Sequence, residues 1–198
     1  MSGFYEEVEG IYRLKIPFDT VYTSVFLIKA PSRVILVDCA TTARDVEDVI
    51  LPALAELGYT PTDVDTLVLT HRHGDHAGGM ETLLHHAPQL EVVTDIRALA
   101  DGVCTYPMGG HTKDCIGVFC TRTGTLISGD GIQGAGVDKY RCYTEDPKMY
   151  LETLARIRED ARIENILFSH AYEPWLADRA SGREQVLACL DASLQYVT

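Results

Sequence analysis

The chain has 198 residues, 46% hydrophobic and 23% charged, with a formal net charge of −12. That length fits one domain, since single domains run roughly 100–200 residues, and it can bury a full core without disulfides. The acidic balance and the lack of any Lys/Arg cluster work against polyanions, so neither nucleic acid nor an anionic membrane is expected as a partner.

The opening "MSGFYEEVEG" is acidic and has no basic stretch leading into an apolar run. No signal peptide is therefore expected, and the cytoplasm is the simplest compartment. No segment approaches the roughly 18 apolar residues of a membrane span. "GIYRLKIPF", "TSVFLIKA" and "RVILVDCA" are β-rich runs separated by turn-prone residues, which predicts a meander. Residues 43–57 change period: Val46, Val49, Ile50, Ala53, Leu54 and Leu57 share one helix face. Pro52 should kink that helix by removing a backbone bond, and Gly58 should end it. "VDTLVLT" predicts a strand, and "GGMETLLHHA" a helix after it. "LEVVTD", "GVCTYP", "CIGVFCT" and "TLISGD" predict further strands, and "GDGIQGAGVDKY" a loop.

A long helix is predicted at "EDPKMYLETLARIRE", with Asp146 as N-cap and Pro147 at its first position. "IENILFSH" predicts a strand. A last helix is expected in "SGREQVLACLDASLQYV", where Ser181 and Glu184 have capping-box spacing. No linker, low-complexity tract or repeat at solenoid periods is visible. The order of strands and helices predicts two sheets with helices packed outside, in one domain over residues 1–198. Six cysteines (39, 104, 115, 120, 142 and 189) form no CxxC pair, so reduced, mostly buried thiols are expected.

The chemistry concentrates in "LVLTHRHGDHAGG", residues 67–79. His71, His73, Asp75 and His76 lie between an apolar run and a Gly pair, in a chain with seven histidines. Imidazole nitrogens and carboxylate oxygens are ligands that zinc accepts at about 2.0–2.2 Å. His71 and His73 alternate, so extended backbone points both to one side. Asp75 and His76 follow across Gly74 and can aim at a second point. One metal would hardly collect all four with good geometry; two neighbouring metals would. His111 in "MGGHT", Asp130 in "LISGD" and His170 in "ILFSH" each stand where a strand gives way to a loop, a common place for sites on a rigid scaffold. The cluster reads as a metal site, while His85 and His86 need no special role.

These residues resemble the metallo-β-lactamase superfamily. Its signature is HxHxDH after a strand, then a His in a "GHT" turn, an Asp after a strand and a final His. Here they are His71, His73, Asp75, His76, His111, Asp130 and His170, in that order. "VILVDCA" looks like the family's "LVDTG" strand end, which matches Asp38 to its Asp. The resemblance covers nearly the whole chain and implies a four-layered αββα sandwich of the α/β class.

It further implies that His71, His73 and His111 hold one divalent metal, that Asp75, His76 and His170 hold a second, and that Asp130 bridges them. The ions are expected to be zinc, with iron or manganese as alternatives. A metal-bridging hydroxide, its pKa lowered from near 16 to roughly 7, would be the nucleophile, oriented by Asp75 as catalytic residue. Asp38 would steady the HxHxDH loop through hydrogen bonds. The family's Pro-Gly-His-Thr-Pro-Gly is altered, with Gly109 for the first Pro and Lys113–Asp114 for the last two residues. The final His sits in "FSHAYEP" rather than beside glycine, and the span from His76 to His111 is short.

By the same resemblance, β-lactamases of the common dinuclear type carry Cys at the Asp130 position and are secreted. Glyoxalase II enzymes often add a C-terminal glutathione-holding domain, for which no room is expected after Val197. Nucleases of the family bring extra domains or basic exosites. Lactonases favour a Tyr close behind the bridging Asp, whereas here Gln133 is near and Tyr140 and Tyr143 come later. The expectation is a dinuclear hydrolase of a small-molecule ester, thioester or lactone. The alternative is a mononuclear non-haem iron persulfide dioxygenase, using His71, His111 and Asp130; a phosphodiesterase or a non-catalytic metal-binding module rank below it. Family topology places Phe18, Tyr22, Lys139, Tyr140, Arg141 and Tyr143 over the metals, with Tyr172 and Trp175 at the same mouth, as candidate substrate contacts.

Overall fold

The computed structural model describes residues 3–18, 21–132, 143–171, 177–195 and 197, with residue 18 described by its backbone alone. Two compact units meet in sequence at Thr94/Asp95. Each carries a six-stranded mixed sheet.

In the first unit the strands are β1 (Tyr5–Val8), β2 (Ile11–Phe18), β3 (Val21–Ala30), β4 (Arg33–Val37), β5 (Thr66–Val68) and β6 (Glu91–Val93). They lie in sequence order across the sheet. The first three pairings are antiparallel, as a meander requires, and β4–β5 and β5–β6 are parallel. Parallel neighbours need a long crossover. Between β4 and β5 it is supplied by α1 (Ala43–Asp45), a π-helical stretch (Val46–Ile50) and α2 (Leu51–Glu56). Thr42 starts this run with a capping box, accepting from the Asp45 N–H while the Asp45 carboxylate accepts from its own N–H.

The expected kink at Pro52 takes the form of that π turn. The Leu51 N–H bonds back to the Val46 carbonyl, five residues earlier. Such a turn widens the helix where the proline lacks an N–H and its ring would press on the carbonyl four residues back. Val46, Ile50, Ala53 and Leu54 are still buried on one face. They join Leu14, Ile16, Val25, Leu27, Leu36 and Leu67 in one core cluster, in which each fully buried Val, Leu or Ile side chain contributes about 1.5–3 kcal/mol. Alternate strand positions Phe26, Ile28, Ile35, Val37 and Val68 are buried too, so β4 and β5 are apolar on both faces, as parallel central strands are.

After β5 the chain makes a helical turn, α3 (Gly74–Ala77), and then α4 (Met80–His86). The expected strand "VDTLVLT" is shorter than its apolar run, because Leu69 onward turns into the histidine loop.

The second unit orders its strands as β12-β11-β10-β9-β8-β7. These are β7 (Ala98–Ala100), β8 (Val103–Pro107), β9 (Ile116–Cys120), β10 (Thr125–Ile127), β11 (Asn165–Leu167) and β12 (Arg179–Ser181). Only β10–β11 is parallel, and its crossover contains α5 (Pro147–Glu159). Asp146 caps α5 by accepting from the Met149 N–H at 3.0 Å, and Pro147 follows it, as read from the sequence. Tyr150, Thr153, Leu154 and Ile157 form its buried stripe, packed with Phe119, Leu126 and Ile166.

The last helix, α6 (Arg183–Leu194), departs from expectation. Its N-cap is Gly182 at φ 82°, with no side-chain cap bond. Ser181 instead ends β12, and its N–H donates to Gln185 Oε1. Strand pairing with β11 outcompetes the capping box here. The Arg183 guanidinium also donates to the carbonyls of Ile157, Arg158, Asp160 and Ile163, closing the end of α5. β1, β7 and β12 were not expected. No helix among the described residues is long and apolar enough to cross a membrane.

The described cysteines, Cys39, Cys104, Cys115, Cys120 and Cys189, are free thiols; Cys142 lies outside the described residues. Burial pushes Cys115 up to about 11 and Cys120 up to about 12, and raises Cys39 as well. Only the thiolate alkylates readily. Iodoacetamide at pH 8 should therefore leave these three unmodified in the folded protein and label them after denaturation. Native labelling of the Cys115 or Cys120 peptide within minutes would contradict this.

Candidate metal centre

The first group of ligand-type residues is built where β4 and β5 end side by side. Asp38, just after β4, sits at φ 63°, a left-handed conformation that Asp tolerates; Ala40 follows at φ 58°. This turn aims the Asp38 carboxylate back under the loop after β5. Its Oδ1 accepts from the Thr70 N–H and its Oδ2 from the Thr70 hydroxyl, each at 2.8 Å. Oδ2 also lies 2.7 Å from His76 Nδ1. The His76 carbonyl in turn accepts from the Cys39 N–H and thiol. The two loops are thus tied in both directions.

Glycines allow this approach. A Cβ on Gly78 would stand 1.9 Å from the Thr41 carbonyl oxygen, and one on Gly79 2.2 Å from that of Cys39. On this base the HxHxDH residues converge. The His71 ring centroid lies 4.6 Å from that of His73 and 4.2 Å from that of His76. Asp75 Oδ2 is 3.4 Å from His76 Nε2. His71 and His76 are buried, Asp75 is partly exposed and His73 is exposed.

The second group is assembled within the other unit. Asp130, beyond β10, stands between two histidines: its Oδ2 is 3.7 Å from His111 Nε2 and its Oδ1 3.3 Å from His170 Nε2. All three are buried. His111 rides on a tight turn pinned by residues 143–153. Its Nδ1 donates to the Tyr143 carbonyl at 2.8 Å, since a carbonyl can only accept. The Glu145 and Asp146 N–H groups donate to the His111 and Gly110 carbonyls. Glu145 Oε2 accepts from the Lys113 N–H, and the Thr153 hydroxyl donates to the Gly109 carbonyl. A Cβ at Gly109 would meet Met149 Sδ at 2.4 Å, so a larger residue here would require the Met149 side chain to move.

Candidate substrate contacts fare unevenly. Tyr143 is 61% exposed, its ring edge-on to His111 at 5.7 Å. Tyr22 lies under Lys15 Nζ, 4.7 Å from its ring centroid. Tyr140, Tyr172, Lys139, Arg141 and Trp175, and the Phe18 side chain, lie outside the described residues. His85 and His86 stack edge-on along α4 and join no ligand group. Sequence reasoning missed the Tyr143 carbonyl and the residues pinning the Gly109–Lys113 turn, because those contacts run through backbone. It also missed Thr70, although a threonine directly before the first His was in view.

Residues 18–98 match the family model described as "Metallo-beta-lactamase superfamily". The whole chain overlays solved metallo-β-lactamases. With FIM-1 from Pseudomonas aeruginosa the TM-score is 0.75 at 18% identity, over 98% of this chain and 95% of that one. With the enzyme from Erythrobacter litoralis it is 0.71 at 21% identity, over 97% and 96%. The chain belongs to the metallo-β-lactamase superfamily. Its fold is that family's αββα sandwich, as the sequence led one to expect.

Among curated relatives, a "Beta-lactamase-like protein 2 homolog" of Drosophila melanogaster is 30% identical over 164 residues, 68% of this chain and 54% of that protein. A "Hydroxyacylglutathione hydrolase" of Pseudomonas entomophila (strain L48) is 31% identical over 152 residues, 62% and 58% respectively. The chain thus spans a little over half the length of these relatives. His71, His73, Asp75, His76, His111, Asp130 and His170 all fall in groups of His and Asp side chains that could hold a metal ion, and most members of the superfamily are metal-dependent hydrolases.

Proposed function

We propose that this protein is a dinuclear metal-dependent hydrolase of a small-molecule thioester, ester or lactone. The observation that carries the reading is the convergence of histidines and carboxylates, most of them buried, within each unit, with Asp130 set between two histidines. The donor set is the imidazole and carboxylate mixture that divalent ions such as zinc accept. His111 and His76 each commit Nδ1 to an oxygen, of Tyr143 and of Asp38, which would make Nε2 the metal-facing nitrogen.

In this reading His71, His73 and His111 would hold one ion and Asp75, His76 and His170 the other, with Asp130 shared between them. Bound ions would supply an acidified water at neutral pH and an electrophile for the substrate oxygen that gains charge. The protein's own part is positional. Asp75 would orient the attacking hydroxide as the catalytic residue. The exposed Tyr143 ring beside His111 offers a wall for the acyl group. The names of the hydroxyacylglutathione hydrolase relatives favour a thioester within the class, and the net charge of −12 favours a small molecule over a polyanion.

Metal content by plasma mass spectrometry should return about two zinc or manganese ions per chain. A chelator should abolish hydrolysis of a hydroxyacyl-glutathione thioester, and added zinc should restore it. One iron per chain, with oxygen uptake on a glutathione persulfide, would overturn the proposal in favour of the dioxygenase.

A further inference from the structure

We propose that Thr70 is a positioning residue for His71: its hydroxyl extends the hold of Asp38 to that histidine and fixes which ring nitrogen carries the proton. The inference rests on the metal-centre reading above, and its geometry lies wholly within the first unit.

Thr70 is 1% exposed. Its Oγ1–H donates to Asp38 Oδ2 at 2.8 Å, and Oγ1 also lies 3.1 Å from His71 Nδ1. A hydroxyl has one proton, and a carboxylate only accepts. With that proton committed to Asp38, Oγ1 can only accept at His71, so His71 Nδ1 carries the ring proton. Nε2 then keeps the lone pair that a metal needs. The same accounting at His76, whose Nδ1 lies 2.7 Å from Asp38 Oδ2, leaves its Nε2 as ligand as well. One carboxylate sets two tautomers, directly for His76 and through Thr70 for His71.

Thr70 also has a separable structural role. Its N–H donates to Asp38 Oδ1, and that bond survives any side-chain change. Thr70→Val keeps the shape and removes the hydroxyl, whereas Thr70→Ser keeps the hydroxyl. Two readouts on the full-length chain test the link: zinc titration against a chromophoric chelator, and long-range ¹H–¹⁵N spectra of the histidines in metal-free protein.

Thr70→Val should weaken zinc binding about 10–100-fold, the usual cost of losing a group that orients a ligand. Thr70→Ser should stay close to wild type. His71 should show the Nδ1–H pattern in wild type and Thr70→Ser, and lose it in Thr70→Val. A folded Thr70→Val protein with wild-type zinc affinity and an unchanged His71 pattern would overturn the proposal. Should wild type bind no zinc, the metal-centre reading fails while the spectra still decide the Thr70 link: a shift upholds it and no shift removes it. Thr70→Ala, expected to behave as Thr70→Val, serves if the valine variant does not fold.

Discussion

Asp38→Ala is expected to cost about 3–5 kcal/mol of stability, the scale for removing one partner of a buried, charged hydrogen-bonding pair. In a chain of this size that lowers Tm by roughly 6–20 °C. Three donors, the Thr70 N–H, the Thr70 hydroxyl and His76 Nδ1, would lose their acceptor together inside the protein. Each stranded group costs about 1–3 kcal/mol, though not additively. Alanine at φ 63° adds about 1 kcal/mol that aspartate, with its local hydrogen bonding, largely avoids. Asp38→Asn is the informative companion. It tolerates the backbone and can still accept from the Thr70 N–H, but it sets an NH₂ against a donor. It should unfold nearer to wild type while losing zinc affinity with Asp38→Ala. Thermal unfolding and zinc titration check both, and an Asp38→Ala protein within 2 °C of wild type, to take a roughly 1 kcal/mol margin, would contradict the account.

Gly78→Ala is the second large effect. The new methyl would sit 1.9 Å from the Thr41 carbonyl oxygen and 2.5 Å from that of Gly74. Both obstacles are backbone, so no rotamer change relieves them, and the loops tied by Asp38 must separate. A loss of about 3 kcal/mol or more is expected, with impaired zinc uptake. Gly74→Ala, four residues earlier in the same motif, meets nothing within 4 Å. It starts the α3 turn and should stay within about 1 kcal/mol of wild type. Urea unfolding of the pair separates crowding at one point from a general intolerance of the motif to change. Equal losses for both would rule out the crowding explanation.

These variants also mark what the sequence made legible. The long strands β2 and β3, the capped helix α5 and the overall sandwich could be read because periodicity and capping residues are local signals. β1, β7 and β12 could not. They are three or four residues each, and "RAS" in β12 exists only because β11 lies beside it. The box-like spacing of Ser181 and Glu184 misled for the same reason: a local motif yielded to a partner from elsewhere in the chain. The π turn before Pro52 keeps the buried face a helix would have, so the periodicity held while the hydrogen bonding changed.

At the candidate site, the ligand-type residues stood out by type and spacing, and each unit gathers its own share. Asp38 was visible as a strand-end aspartate, but its left-handed backbone and three-donor grip were not. Nor was the seat of His111, since Tyr143 holds it with a carbonyl that every residue possesses.

Arg183 has a bearing on the order of assembly. One guanidinium from the start of α6 reaches four carbonyls at and just beyond the end of α5, and of these the Asp160 carbonyl also accepts from the Ile163 N–H. Helix ends leave such carbonyls unsatisfied until a partner arrives. As the chain leaves the ribosome, α5 can form its first turns from Asp146 onward, whereas the carbonyls of Ile157, Arg158 and Ile163 gain their Arg183 donor only once residue 183 has been made. Because the opening turns of α5 also seat the histidine turn at 109–113, that turn can settle before the helix is complete.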